Sequence, residues 1–206
     1  MLNLQNINAI IFDLGGVLVD LDKERCVESF REIGIADTDK IIGVTTSTDV
    51  IFDLEVGKIT REEFYMEMRH RSSLNPANEQ IDAAWLSMFG GIPQAKTKML
   101  EMFKTRYRLF LLSNTNPIHI EGLNRILVSE NRKPIQNYFE KCFLSYEMKM
   151  AKPDKKIYQR VLNEIGEKAE NCLFIDDGEK NISAAKKLGI VTYLVKEKEV
   201  FNFQQQ

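Results

Sequence analysis

The sequence has few of the residues that mark several common protein classes. Its 206 residues include only two histidines and three cysteines, which are Cys26, Cys142 and Cys172. The cysteines have no paired spacing, so the sequence predicts neither a disulfide framework nor a zinc site. No apolar run is long enough to span a bilayer, and the first residues lack the basic start and cleavage site of a signal peptide. We therefore expect a cytoplasmic protein.

The chain also lacks an excess of charge of either sign. It has 28 Lys and Arg against 30 Asp and Glu, which gives a formal net charge of -2 and a pI near 5.8. Electrostatic binding to nucleic acid or to an anionic membrane usually needs a strongly basic surface, so neither partner is expected. A hydrophobic content of 44% with 28% charged residues is typical of a globular protein.

The strongest single signal is an apolar run at residues 9–12 that ends in Asp13 and is followed by Gly15 and Gly16. A run that is apolar on both faces predicts a central strand of a helix-covered parallel sheet. The glycines allow a tight turn and a close approach to a ligand at the carboxyl end of that strand. No G-x-G-x-x-G motif follows the strand, so a dinucleotide is not the expected ligand.

The remaining pattern predicts an α/β fold with a helical insertion. Helix-period apolar residues and the absence of a long β-branched run favour helices over residues 19–92, which we predict to form a small helical domain. Strands alternate with helices further along, and such alternation predicts a parallel sheet within a core domain formed by residues 1–18 and 93–206. The later strands are expected near residues 109–112, 142–145, 172–175 and 190–195.

A second apolar run, residues 172–175, also ends in acids, Asp176 and Asp177. If this strand lies beside the first, these two carboxylates and Asp13 converge on one crevice. Like charges that close need a cation to stay ionised. Carboxylate oxygens are the ligands that suit Mg²⁺, so the sequence predicts a magnesium site.

The same edge of the sheet would receive groups that suit phosphate. Ser113 and Asn114 follow the second strand, and Lys152 lies in the loop before a later helix. A hydroxyl, an amide and a cation can each bind phosphate oxygens, with lysine acting as a point charge. The sequence therefore predicts a phosphate-binding site at this edge of the sheet.

These residues form an ordered set of four motifs that resembles the haloacid dehalogenase (HAD) superfamily in its phosphatase branch. The resemblance implies a Rossmann-like parallel sheet of strand order 5-4-1-2-3, with the helical segment as a mobile cap over the site. The motifs are Asp13-Leu-Gly-Gly-Val-Leu, Leu112-Ser113-Asn114, Lys152-Pro153-Asp154 and Ile175-Asp176-Asp177, with Asn181 beyond the last.

The resemblance also implies a small phosphorylated metabolite as the partner, and it implies roles for the site residues. Asp13 would attack phosphorus and form an aspartyl-phosphate that water then hydrolyses, with Ser113 and Lys152 as the other catalytic residues. Mg²⁺ would be held by Asp13, Asp177 and the Gly15 carbonyl, with Asp176 beside them directly or through water. Phosphoryl transfer requires in-line positioning and charge neutralisation, which these groups supply. The groups that would hold the phosphoryl group are Gly15, Gly16, Ser113, Asn114 and Lys152.

One residue departs from the superfamily pattern. Most of its phosphatases carry, two residues after the nucleophile, an Asp that protonates the leaving group, and this chain has Gly15 there. General acid/base help is typically worth ~10² to 10⁴ in rate. We favour a substrate with a better leaving group, such as a sugar 1-phosphate, since some members with Gly at this position are similar to sugar-phosphate phosphatases. The alternatives are a slow or inactive regulatory phosphate-binding protein and a metal-independent 2-haloacid dehalogenase, although a dehalogenase would not need adjacent Asp176 and Asp177.

Weaker candidates have simpler structural interpretations. We expect His119, near a predicted helix start, to lie at the surface rather than at the mouth of the site. We expect His70 to sit near a helix end, where the helix dipole favours a basic cluster, rather than to face phosphate. Trp85 and Phe89, at helical spacing, are expected to pack within the helical domain rather than to form a substrate platform. Asp20 is expected to be a solvated hinge residue or a helix cap.

Overall fold

A five-stranded parallel sheet forms the centre of the computed structural model, which describes residues 4–36, 38 and 50–196. The strands are β1 (Ala9–Phe12), β2 (Arg108–Ser113), β3 (Lys141–Leu144), β4 (Cys172–Asp176) and β5 (Val191–Leu194). Their order across the sheet is β3-β2-β1-β4-β5, and all four neighbouring pairs are parallel. The predicted fold class and strand order are confirmed, and β1 lies between β2 and β4.

Helices connect and cover the strands. None of the helices in the described ranges has both the length and the apolar character needed to cross a lipid bilayer. The α-helices are α1 (Lys23–Glu32), α2 (Val50–Glu55), α3 (Arg61–Arg71), α4 (Asn78–Leu86), α5 (Gln94–Phe103), α6 (Pro117–Ser129), α7 (Ser145–Met148), α8 (Lys155–Ile165) and α9 (Glu179–Lys186), and short 3-10 turns occur at Ile135–Tyr138 and Ala169–Asn171.

The apolar character of β1 on both faces follows from helices that cover both sides of the sheet. Ile10 and Phe12 pack in one hydrophobic cluster with residues of α5 and α6, such as Leu100 and Leu123. Ile11 packs in the opposite cluster with residues of α8 and α9. Because successive strand residues point to opposite faces, a strand covered on both sides must be apolar throughout.

The helical segment between β1 and α5 has its own hydrophobic cluster. Trp85 of α4 meets Phe30 of α1 and Phe64 of α3 edge-to-face, with ring centroids 5.5 and 5.1 Å apart. Ile118 of α6 joins this cluster and so links the segment to the core. The packing of Trp85 agrees with expectation, whereas the division into domains at residues 19 and 92 stays a prediction.

The two connections between the sheet and the helical segment run side by side. The Gly90 N–H donates to the Asp20 carbonyl at 2.9 Å, and the Asp22 N–H donates to the Met88 carbonyl at 2.7 Å. Asp20 is not simply solvated as expected, because its carboxylate pairs at 2.9 Å with Lys96, whose side chain is only 3% exposed. Both connections are therefore tied to α5.

Candidate active site

Asp13 lies immediately after β1 and is held there by the neighbouring strand. Its N–H donates to the Ile175 carbonyl of β4 at 2.9 Å. Its carboxylate is buried, and Oδ1 accepts hydrogen bonds from the Leu14 N–H at 2.7 Å and the Lys152 Nζ at 2.8 Å. The side chain therefore has a fixed orientation at the carboxyl end of the central strand.

Lys152 bridges two carboxylates. Its Nζ lies 2.8 Å from Asp13 Oδ1 and 2.6 Å from Asp176 Oδ2, and its side chain is 1% exposed. Burial alone would lower the pKa of Lys152, but the charges of Asp13 and Asp176 outweigh burial, so the pKa is raised. Lys152 is thus a buried cation at neutral pH.

Adjacent Asp176 and Asp177 have different surroundings. Asp176 is fully buried, and its Oδ1 accepts from the Gly178 N–H at 2.7 Å and the Asn181 Nδ2 at 2.9 Å, while Oδ2 accepts from Lys152. Asp177, beyond the end of β4, is exposed. Asp176 is suited to orient Lys152, whereas Asp177 is available to a ligand.

The three carboxylates of Asp13, Asp176 and Asp177 form a site that fits a divalent cation. Each offers an oxygen, and these oxygens lie within 4.8 Å of one another. Burial, reinforced by Asp176 and partly offset by Lys152, raises the pKa of Asp13 to about 7. Loss of hydration at its carboxylate and the charge of Asp176 also raise the pKa of Asp177. One lysine does not balance three acids, and carboxylate oxygens with an unbalanced negative charge are what Mg²⁺ prefers.

The two glycines of the turn after Asp13 have different structural roles. Gly16 has a φ of +72°, and a Cβ there would lie 2.1 Å from Asp177 Oδ2, so only glycine lets that carboxylate approach. A Cβ at Gly15 would lie 2.9 Å from Leu21 Cδ1, the end of a side chain that could move. The absence of a side chain at residue 15 is therefore not imposed by backbone geometry.

Ser113 and Asn114 follow β2 at the same sheet edge. Ser113 is buried, and within the described part of the chain its Oγ makes one long hydrogen bond, 3.5 Å to the Asn114 carbonyl. The Asn114 side chain accepts from the Lys152 N–H and donates to the Lys152 carbonyl, both at 2.9 Å. Asn114 therefore holds the lysine loop with its side-chain amide.

Ser145, which the motifs did not indicate, supports the loop that follows β2. Its buried Oγ accepts from the Thr115 N–H at 2.9 Å and donates to the Thr115 carbonyl at 3.0 Å. The sequence does contain a signal for this role, because Ser145 directly follows β3 and so lies at the sheet edge that also holds Asp13 and Ser113.

His119 does not lie at the surface as expected. It is 7% exposed and sits in the first turn of α6, with ring centroids 5.1 Å from Trp85 and 4.8 Å from Phe89. The first turn of α6 faces the helical segment, which a helical period alone does not predict. Burial lowers the pKa of His119 to about 3, so the ring is neutral at physiological pH. His70 is exposed in the last turn of α3, as predicted.

Comparison with known proteins identifies the family. The haloacid dehalogenase-like hydrolase family matches residues 7–189. The chain belongs to this family. The resemblance inferred from the four motifs is thereby confirmed, and it extends over the helical segment as well as the sheet.

Two relatives of this HAD-like hydrolase are named as phosphatases. The D-ribitol-5-phosphate phosphatase of Bacteroides thetaiotaomicron is 32% identical over 187 residues, covering 91% of this chain and 91% of that protein. The phosphorylated carbohydrates phosphatase of Thermotoga maritima is 25% identical over 191 residues, covering 88% of this chain and 82% of that protein. A crystal structure of a HAD family enzyme from B. thetaiotaomicron, an aspartate-to-alanine variant in complex with magnesium and inorganic phosphate, has a TM-score of 0.92 at 37% identity and covers 97% of this chain and 100% of that chain.

Proposed function

We propose that this chain is a Mg²⁺-dependent phosphatase that hydrolyses a small phosphorylated metabolite through Asp13. It is a phosphoric monoester hydrolase, and Mg²⁺ is its cofactor. The observation that carries the proposal is the placement of Asp13 at the end of β1, 2.8 Å from Lys152 and grouped with Asp176 and Asp177. The phosphatase relatives and the magnesium and phosphate bound by a solved neighbour support it.

Mg²⁺ would be held by Asp13, Asp177 and the Gly15 carbonyl, with Asp176 beside them directly or through water. When bound, it supplies positive charge that neutralises phosphoryl oxygens and orients them. Asp176 keeps Lys152 charged and in place beside Asp13, so that its ammonium is available to the phosphoryl group. The remaining phosphoryl contacts come from the Ser113 hydroxyl, the Asn114 backbone N–H and the turn at Gly15 and Gly16.

Asp13 is the nucleophile. Both hydrogen bonds found at its carboxylate within the described residues end on Oδ1, so Oδ2 is the oxygen that attacks phosphorus. The new Oδ2–P bond forms as the bond to the leaving oxygen breaks. Gly15 offers no acidic side chain, so the leaving oxygen takes its proton from water. A second water then attacks phosphorus and the Oδ2–P bond breaks. The proton that this water loses neutralises the hydroxide left by the first step, and inorganic phosphate leaves with the carboxylate restored.

Two substrate classes are favoured by different observations. Gly15 favours a sugar 1-phosphate, whose anomeric oxygen leaves more readily than an ordinary alcohol. The relative named for D-ribitol 5-phosphate favours a terminal phosphate on an open-chain polyol. Both classes are phosphate monoesters of polyhydroxylated metabolites. We also propose that the helical segment between β1 and α5 is the cap over the site and that the enzyme is cytoplasmic.

The proposal is tested by measuring phosphate release from four esters, with Mg²⁺ or with EDTA. The esters are p-nitrophenyl phosphate, glucose 1-phosphate, glucose 6-phosphate and ribitol 5-phosphate. We expect Mg²⁺-dependent release that is lost in Asp13→Asn. Equal release from both proteins would remove Asp13 from the mechanism. Chloride release from a 2-haloacid in EDTA would instead identify a dehalogenase. Glucose 1-phosphate turned over no faster than glucose 6-phosphate would reject the sugar 1-phosphate preference.

A further inference from the structure

Lys96 is a buried cation that the proposed mechanism does not use. It lies in the first turn of α5, and its side chain is only 3% exposed. Within the described residues its ammonium makes one ion pair, at 2.9 Å to Asp20 Oδ1. Lysine is rarely buried, because its charge loses hydration that a single partner seldom replaces in full. A lysine buried against one carboxylate therefore indicates that the position of that carboxylate has a role of its own.

Asp20 directly follows the turn that leaves the nucleophile. Backbone hydrogen bonds close this turn: the Val19 N–H donates to the Leu14 carbonyl at 2.8 Å, and the Gly16 N–H donates to the Val19 carbonyl at 2.9 Å. Gly15 also forms a β-bridge with Val19. Because Asp20 is the next residue after Val19, holding Asp20 in place holds the far end of the turn.

The main chain of Asp20 is held from the same side as its carboxylate. Its carbonyl accepts from the Gly90 N–H at 2.9 Å, and its N–H donates to the Gly91 carbonyl at 3.4 Å. Gly91 precedes Lys96 by five residues, in the connection that leads into α5. The main chain and the side chain of Asp20 are therefore both fastened to residues 90–96.

The turn carries two features of the proposed magnesium site. The Gly15 carbonyl is one of the proposed ligands. Gly16 determines how closely Asp177 approaches, because a Cβ at Gly16 would lie 2.1 Å from Asp177 Oδ2. A displacement of the turn would change the placement of both groups. Residues that orient metal ligands without touching the metal commonly influence its affinity.

We propose that Lys96 is a positioning residue for the magnesium site, acting through Asp20 to hold the turn of Gly15 and Gly16 in place. The inference rests on the magnesium ligands of the proposed function. Without the ammonium, the Asp20 carboxylate, whose side chain is already 48% exposed, can turn to water. The turn then keeps its backbone contacts but loses its tie to α5.

Calorimetric titration with Mg²⁺ alone, on protein freed of metal by EDTA and then dialysed, tests this role. The variants are Lys96→Met, Asp20→Asn and the double variant. We expect the Kd for Mg²⁺ to rise by about tenfold in each single variant, the lower end of the effect typical of groups behind metal ligands. Because the two residues act as one unit, the double variant should bind Mg²⁺ about as weakly as either single variant. The matched control is Lys98→Met, which removes an exposed lysine from the same helix and should bind Mg²⁺ like the wild type.

A Kd that changes by less than about twofold in both single variants would overturn the proposal and leave the pair as a structural anchor of α5. Urea unfolding in EDTA recognises that case, because an anchor lowers the midpoint without changing the Kd. If Asp20→Asn does not fold because the buried ammonium has lost its partner, Lys96→Met and the double variant decide. A wild type that binds Mg²⁺ but releases no phosphate from the four esters would contradict only the proposed function, since the comparison of Kd values needs no turnover.

Discussion

Replacing Lys152 with methionine tests the charge balance on which the site depends. The lysine Nζ lies 2.8 Å from Asp13 and 2.6 Å from Asp176, and all three side chains are buried. Removing one partner of a buried ion pair typically costs about 3–5 kcal/mol, because an uncompensated charge is left behind. Since Lys152 serves two carboxylates, we expect Lys152→Met to lose stability in this range near pH 8.

The loss of stability in Lys152→Met should depend on pH. The pKa of Asp13 is already raised to about 7 by burial and Asp176, and loss of Lys152 raises it further. A carboxyl that binds its proton more tightly in the folded state contributes stability at low pH, and that stability is lost as pH rises from the unfolded value of 3.8 toward the folded one. The cost of Lys152→Met should therefore be smallest near pH 5 and grow toward pH 8.

Urea unfolding in EDTA, followed by the fluorescence of Trp85, the only tryptophan, measures this cost at both pH values. Lys155→Met, which removes an exposed lysine three residues away, is the matched control and should unfold like the wild type. Added Mg²⁺ should recover part of the lost stability. Equal midpoints for Lys152→Met and the wild type near pH 8 would refute the claim that this lysine balances the buried acids.

Three further substitutions test separate parts of the site. Gly16→Ala should weaken Mg²⁺ binding measured by calorimetry, because its Cβ would lie 2.1 Å from Asp177 Oδ2; an unchanged Kd would contradict this. Gly15→Asp, which requires Leu21 to shift, should hydrolyse alkyl phosphates faster, by up to ~10² to 10⁴ if the acid is fully effective, and an unchanged rate would exclude that role for the position. When the pH falls from 7 to 5, the free energy of unfolding of His119→Phe should decrease by about 2 kcal/mol less than that of the wild type. The folded-state pKa of His119 is about 3 against the ordinary 6.5, so acid protonates this ring mainly in the unfolded state and destabilises the wild type. Parallel stability curves for the two proteins would show that His119 is not buried in neutral form.

The sheet could be predicted from the sequence because its signals are local. Each buried strand is a short apolar run, and Asp13, Ser113 and Asp176 stand at the ends of three such runs. The carboxyl ends of parallel strands meet at one sheet edge, so the acids had to converge once the strands were neighbours. The strand order itself came from the family resemblance, since local pattern does not specify which strands pair.

Contacts between loops could not be predicted in this way. The Asn114 amide holds the backbone of Lys152 across 38 positions of sequence, and Lys96 reaches Asp20 across 76. Lysine is rarely buried, and nothing in the pattern around residue 96 distinguishes it from a surface residue. His119 was misplaced for a related reason: a helical period identifies an apolar face but not which other element covers it.

The two consecutive acids at the end of β4 have different functions. Asp176 is the last strand residue, and its carboxylate is satisfied by Lys152, Gly178 and Asn181, so it is committed to holding the lysine. Asp177 lies one residue beyond the strand, stays exposed, and can approach Asp13 only because Gly16 has no side chain. The position of Lys152 beside the nucleophile is therefore supported by residues that touch no substrate, and substitutions at Asn181 or Gly178 should act through Lys152.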